Sequence, residues 1–307
     1  MQVSTSYLFD RASKQMVNIQ NDLAKSQQEI AAQKQVLNPS DAPNQAASIT
    51  RFKSVIARQD TYTNTLGQLQ ARLDAESANL TTASDVLIRI KELAIQASNG
   101  TQGTVSRKAI STEMKGLRDQ LLSLSNSTDA SGNYIFSGSK VHTKAFTEDS
   151  KGRIEYTGDQ TRMHVAVGEQ RTLPLNRPGT NAFVRVVRTN PDQSEQGIGF
   201  FTAVDDLIDG VNNNVTSKMQ RGLAEMNALH TGVVMAQADV GTDMKVVEQQ
   251  GAVVDDTKLS LKLALSNVED LDMTTAVTNM QKLMLSLEAA QSTFAKTSQM
   301  SLFKYLG

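Results

Sequence analysis

Residues 52–97 read FKSVIARQDTYTNTLGQLQARLDAESANLTTASDVLIRIKELAIQA. Their apolar members recur in alternating steps of three and four: Phe52, Val55, Tyr62, Leu66, Leu69, Leu73, Leu80, Ala83, Leu87, Ile90, Ala94 and Ala97, with Gln59 and Glu76 the polar members of the same register. Twelve apolar residues in fourteen seam positions, in a chain that is 39% apolar overall, is the spacing of a helix that lays one stripe against a partner helix. A helix over 44–98 is on the order of 80 Å long at ~1.5 Å per residue. Asn99-Gly100 ends it, with residue types that accept the left-handed conformation at a helix C-terminus. The link to the next apolar-faced segment, 104–126 with Ala109, Met114, Leu117, Leu121 and Leu124, is short enough to fold that helix back along the first.

Upstream, Phe9, Ala12, Met16, Ile19, Leu23, Ser26, Ile30, Gln33 and Leu37 take the same steps, and the run stops at Asn38-Pro39-Ser40-Asp41-Ala42-Pro43. Two prolines there disfavour helix in the residues before them, and Ser40 or Asp41 can cap the next helix, so this stretch is expected to be a hinge between two helices. Downstream of Ser131 the helical period disappears, and β-formers alternate with turn signals such as Ser131-Gly132-Asn133, Ser150-Lys151-Gly152 and Thr157-Gly158-Asp159. Strands are expected near 134–137, 153–157, 162–167 and 183–189, then a short helix over 200–210. A second long helix over 215–268 carries Met226, Leu229, Val233, Ala236, Val240, Asp243, Val247, Gln250, Val254, Thr257, Leu261, Ala264, Val268 and Leu271 in register. Gly222, Gly232, Gly241 and Gly251 lower its intrinsic helicity by about 1 kcal/mol each relative to Ala, so partner helices must hold it. After Leu271 the seam shifts register and resumes as Ala276, Met280, Leu283, Leu287, Ala290 and Phe294.

The two halves mirror each other. The expected fold is mainly α, an elongated rod of long antiparallel coiled-coil or bundle helices from both termini with a small inserted β-rich domain. The simplest closure makes three domains: 1–40 with 270–307 as a terminal coiled coil, 41–135 with 215–269 as a helical rod, and 136–214 as the β-rich insertion.

Bulk properties exclude several classes of function. Lys plus Arg number 31 against 32 Asp plus Glu, a net charge of −1, so no positive field exists to gather nucleic acid or anionic lipid. The absence of cysteine removes disulfides, thiolate metal sites and a cysteine nucleophile. MQVSTSYLFDRASKQ has no basic region followed by an apolar one, and no run of apolar residues is long enough to span a bilayer; neither a cleaved signal nor membrane insertion is expected. His142, His164 and His230 have neither helical nor zinc-type spacing, so no metal is assigned. Asp205-Asp206 with Asp209, and Asp255-Asp256, lack a partner base or calcium-loop spacing and are expected to be solvated helix faces. Gly100-Thr101-Gln102-Gly103 follows no strand and precedes no Gly-Lys, so it is a connecting turn rather than a phosphate loop. No catalytic residue and no cofactor are assigned, and an enzyme is the least supported class.

Asn38-Pro39-Ser40-Asp41-Ala42-Pro43 and Ile90-Lys91-Glu92-Leu93-Ala94-Ile95-Gln96-Ala97-Ser98-Asn99-Gly100 resemble the N-terminal signature of the bacterial flagellin family, including its hook-associated members. The stretch from Val268 through Leu287-Glu288-Ala289-Ala290 to Ser301-Leu302 and Leu306-Gly307 resembles the other end of the same family. Tyr134-Ile135-Phe136-Ser137-Gly138 is similar to the hook-associated branch rather than to filament-forming members. Where family members often have Arg-Ile-Asn before Pro-Ser-Asp, this chain has Gln35-Val36-Leu37-Asn38, without the arginine.

The resemblance implies a structural subunit of the extracellular bacterial flagellum at the hook-filament junction, exported unfolded through the flagellar type III apparatus. It implies as partners the chain itself in a ring or helical oligomer, a neighbouring hook-associated protein on the hook side, flagellin on the filament side, and a cytoplasmic export chaperone. On the seam, the expected assembly interface is Phe9, Met16, Ile19, Leu23, Ile30, Leu37, Met280, Leu283, Leu287 and Phe294. The hinge is Asn38, Pro39, Ser40, Asp41 and Pro43, and the chaperone covers Met280, Leu283, Leu287 and Phe294. A filament-forming flagellin and, from another class, a cytosolic coiled-coil adaptor or chaperone are the alternatives.

Overall fold

The computed structural model describes residues 5–100, 102–189 and 195–306. In chain order the elements are α1 (Thr5–Ala32), α2 (Pro43–Ala97), α3 (Thr104–Ser125), β1 (Phe146–Glu148), β2 (Ile154–Tyr156), β3 (His164–Ala166), β4 (Thr172–Pro174), α4 (Gly179–Ala182), β5 (Val186–Thr189), β6 (Glu195–Ile198), α5 (Phe200–Asn212), α6 (Thr216–Glu269) and α7 (Met273–Leu306). They build two compact units, residues 60–255 and the described residues up to 59 with those from 256 onward. The long helices α2 and α6 contribute to both.

In the 60–255 unit α2 and α6 run antiparallel: Thr81 accepts from Gln237 Nε2 at 2.8 Å, Ser84 shares a hydrogen bond with His230 Nε2 at 3.0 Å, and Ser98 approaches Met219. The seam does what its spacing predicts. Every α2 seam position from Leu66 to Ala97 is buried, and on α6 all those from Met226 to Val254 are buried except the half-exposed Asp243. Helix α3 folds back along α2, tied by Arg89 to Glu113 at 2.9 Å and by Asn79 to Ser127 at 2.7 Å. Helix α5 lies antiparallel to α3, with Arg118 donating to Asp205 at 3.0 Å and Ser111 to Asn212 at 3.3 Å.

Among the described residues the insertion holds three separate antiparallel strand pairs, β1 with β2, β3 with β4 and β5 with β6. The strands expected near 153–157, 162–167 and 183–189 appear, shortened, as β2, β3 and β5. Their partners β1, β4 and β6 are three or four residues long, too short to show an alternation in sequence. Residues 134–137 form no strand. Ile135 and Phe136 are fully buried β-formers, but the backbone there turns: Tyr134 N donates to Val141 O, Ile135 N to Ser127 O, and Gly138 has φ +72°. A Cβ at Gly138 would stand 2.2 Å from the Asp159 carbonyl oxygen, so this close crossing excludes any side chain. The core beside it is aromatic where the helical seams are aliphatic. Phe146 lies 5.2–5.5 Å from Tyr156, Phe183 and Phe201, and Phe183 stands edge-on to Phe136 and Phe200.

In the other unit α1 packs along α7 in antiparallel sense, with the Phe9 and Phe294 rings 4.5 Å apart at one end and Lys34 bridged to Asp270 at the other. Helix α1 stops at Ala32, five residues short of the expected Leu37. Gln33 takes φ 56°, its N–H bonds Ile30 O, and Lys34 N–H bonds Glu29 O, which together close a Schellman cap with glutamine in the place glycine usually fills.

Candidate functional site

The two breaks that the sequence marks independently, near Asn38–Pro43 and near Leu271, are joined in space. Past the α1 cap the chain runs beside the end of α6: Gln35 N donates to Glu269 O at 3.0 Å, Leu271 N to Gln33 O at 3.1 Å, and Gln35 Nε2 to Val268 O at 2.6 Å. Glu269, buried here, accepts from Lys34 at 2.7 Å and from Lys53 at 2.8 Å. Burial works to raise its pKa, but hydrogen bonds from Lys34 and Lys53 overcome that and hold the carboxyl below its ordinary value. Two cations, Lys34 and Lys53, thus meet one carboxylate at this break.

The hinge residues form two successive local structures. Asn38-Pro39-Ser40-Asp41 is a turn closed by Asp41 N donating to Asn38 O at 3.0 Å, with proline at the position whose φ it presets. Pro43 is the first residue of α2, where its missing N–H breaks no helical bond. Neither Ser40 nor Asp41 stands at the N-cap: that position falls to Ala42, whose carbonyl accepts the first helical bond from Ala46, and Asp41 turns to Lys25 at 3.6 Å. Across the junction Asp272 caps α7, accepting from Thr275 Oγ1 at 2.7 Å and from the Thr274 and Thr275 amides; the Thr275 hydroxyl first, then those amides, lower its pKa.

The expected interface residues fall on the facing sides of α1 and α7, except Leu37, which lies in the connection. Ile19 is buried, Met16, Leu23, Ile30, Leu37, Met280, Leu283, Leu287 and Phe294 are half-buried, and Phe9 is half-exposed. The same helices also carry large apolar side chains off that seam, with Tyr7 64%, Val17 50%, Met284 51% and Leu285 67% exposed. Seam periodicity missed these four because they lie outside the stripe. The contrast between the units is sharp: the continuous core runs from Leu66 to Val254, wholly within residues 60–255, while the terminal unit keeps Leu259, Leu263 and Met273 exposed as well.

Of the carboxylates weighed as acid-base pairs, Asp205 and Asp206 are tied structurally, while Asp209, Asp255 and Asp256 are exposed as expected. Asp205 meets Arg118, and Asp206 meets Arg188, which also grips both oxygens of Glu225 at 2.7 and 2.8 Å. Burial raises the Asp205 pKa against the pull of Arg118, and the Glu225 and Asp206 bonds raise that of Arg188. These are half-buried ion pairs rather than the solvated face expected of this stretch. Among the described residues no three His, Cys, Asp or Glu are grouped so as to hold a metal ion, and no helix is long and apolar enough to cross a membrane.

The family model for the bacterial flagellin N-terminal helical region matches residues 3–141, and that for the flagellin C-terminal helical region matches residues 223–306. The chain belongs to the bacterial flagellin family. Within it, the sequence is 27% identical to flagellar hook-associated protein 3 of Salmonella typhimurium over 320 residues, covering 99% of each chain, and 26% identical to the Escherichia coli protein of the same name over the same share. The fold is similar to that of the flagellar junction protein FlgL of Legionella pneumophila, with a TM-score of 0.61 at 18% identity, covering 73% of this chain and 99% of that one. The flagellin-family matches contain α1–α3, α6 from residue 223 onward and α7, so the three strand pairs, α4 and α5 lie outside both.

Proposed function

We propose that this flagellin-family chain is a structural junction subunit of the bacterial flagellum, connecting the hook to the flagellin filament through its paired terminal helices. The observation that carries the assembly mechanism is the unequal burial: an aliphatic and aromatic core closes within residues 60–255, while the terminal helices leave apolar surface exposed on both sides of their seam. End-to-end similarity to hook-associated protein 3, insertion included, favours the junction role over a filament-forming flagellin or a cytosolic adaptor.

On this proposal the chain has three functional domains, 1–40 with 270–307, 41–135 with 215–269, and 136–214. Phe9, Met16, Ile19, Leu23, Ile30, Leu37, Met280, Leu283, Leu287 and Phe294 form the assembly stripe, and Asn38, Pro39, Ser40, Asp41 and Pro43 are the hinge between α1 and α2. Partners are further copies of the chain, a hook-associated protein on one side, flagellin on the other, and before export a chaperone covering Met280, Leu283, Leu287 and Phe294. The protein is exported by the flagellar type III route, works outside the cell, and performs no catalysis.

Electron microscopy of a deletion strain tests the role. Hooks without filaments, with flagellin lost to the medium and filaments restored by the intact gene, are expected; normal filaments in the deletion strain would overturn the proposal. Complementation with Leu283→Asp plus Leu287→Asp should restore no filaments, and a variant that assembles normally removes those residues from the interface.

A further inference from the structure

Three polar side chains interrupt the apolar seams within residues 60–255: Glu76 on α2, and Asp243 and Gln250 on α6. Among the described residues all three bond to the insertion rather than to the opposite helix. Arg177, in the segment between β4 and α4, places its guanidinium in the seam, donating Nε to Glu76 at 2.9 Å, Nη2 to Asp243 at 2.6 Å and Nη1 to Asp239 at 3.3 Å. Gln250 Nε2 donates to Val167 O at 3.0 Å. One turn before Glu76, Arg72 reaches Asp129 at 2.8 Å and Ile135 O at 3.0 Å, where the insertion leaves α3.

Three carboxylates from two helices thus converge on one guanidinium from a third segment. Arg177 is 6% exposed and Glu76 2%, so that pair is withdrawn from water, while Asp243 is half-exposed and Asp239 faces solvent. A buried carboxylate that loses its cation is among the most costly defects a core can hold, and here two more negative charges stand beside it. Burial already raises the Glu76 pKa against the pull of Arg177. An uninterrupted apolar seam would leave two long helices free to pair in any register, or with another chain, before the hundred residues between them had folded.

We infer that Glu76, Asp239 and Asp243 hold α2 and α6 apart until Arg177 seats between them, making the insertion an interlock on closure of the helix pair. The insertion is then a condition of the helical fold rather than an ornament on it. Helices waiting for Arg177 are also kept from zipping against those of another copy.

Hydrogen exchange on the full-length monomer tests this. Arg177→Met should speed exchange at amides near 70–83 of α2 and 233–250 of α6 by about tenfold or more. Adding Glu76→Gln, Asp239→Asn and Asp243→Asn should return those helical amides to near wild-type protection while the β1–β4 amides stay fast. An ordinary buried ion pair also recovers when its acceptors are neutralised, but it ties helices and insertion into one unit, so it predicts that the helical amides recover only together with those of β1–β4. Unchanged exchange in Arg177→Met, or helices that stay fast in the combined variant, overturns the interlock. Should Arg177→Met fail to fold, the combined variant decides alone: a folded chain supports the inference and an unfolded one overturns it.

Discussion

Replacing Gly67, Gly241 and Gly251 together by Ala should stabilise the 60–255 unit, whereas the same change at Gly222 or Gly232 should destabilise it. All five lie inside helices, where Gly is about 0.8–1.0 kcal/mol less favourable than Ala. Gly67, Gly241 and Gly251 line an open groove of about 670 Å³ between α2 and α6, and a Cβ at any of them meets no atom within 4 Å. The three gains should therefore add to roughly 2.5–3 kcal/mol. At about 2–4 °C per kcal/mol for a unit of this size, the midpoint should rise by roughly 6–10 °C. At Gly222 the new Cβ would lie 2.8 Å from Leu207 Cδ1 and 2.9 Å from its Cβ, and Leu207 is fully buried; at Gly232 it would lie 2.5 Å from Val184 Cγ2. Overpacking costs about 1–3 kcal/mol, which outweighs the helical gain and should lower the midpoint by a few degrees. Thermal unfolding followed by near-ultraviolet circular dichroism reports on this unit, because the clustered rings of Phe136, Phe146, Tyr156, Phe183, Phe200 and Phe201 all lie in it. A triple variant that melts no higher than wild type, or a Gly222→Ala variant that melts above it, would refute the packing argument.

Phe136→Ala should cost about 3–5 kcal/mol, read from urea denaturation, because the ring is fully buried and its neighbours cannot collapse into the space. Glu269→Gln should change the pH dependence of the terminal unit. A carboxyl held below its ordinary value of 4.5 stabilises the fold above that pH and loses the contribution as pH falls through the folded value. The melting advantage of wild type over Glu269→Gln should therefore be constant above about pH 5 and shrink below about pH 4. Tyr156, which burial and the nearby Asp159 carboxylate push up to about 12 against a backbone hydrogen bond at Gly179, should be the tyrosine that ionises late in a spectrophotometric titration, and Tyr156→Phe should remove that late step.

The helices were legible because their signal is local. Residues 52–97 announce their length, face and end through side chains three and four apart, and α2, α3, α6 and α7 stand where that period puts them. The end of α1 was less legible: the seam spacing continues through Gln33 to Leu37, but Gln33 adopts a left-handed conformation that favours glycine and no glycine stands there to signal it. The insertion was read only in outline. Three-residue strands carry too little pattern, and Ile135 and Phe136, strand formers by type, are buried by a turn. The polar exceptions Glu76, Asp243 and Gln250 were visible as breaks in a stripe, but nothing within a few residues of them names Arg177 or Val167 as partner.

By itself, then, the sequence determined where helices begin and which face each must bury, because a 3.6-residue period and a proline-rich break act on neighbours in the chain. It also determined the family, since both ends carry its residues. Tertiary structure alone decided what meets the polar breaks, that the two chain breaks bond to each other through Gln35, Lys34 and Glu269, and that the terminal pair leaves apolar surface uncovered while the 60–255 unit closes its core. Those outcomes depend on residues 66 or more apart in sequence, where distance in space is set by packing and leaves no period to read.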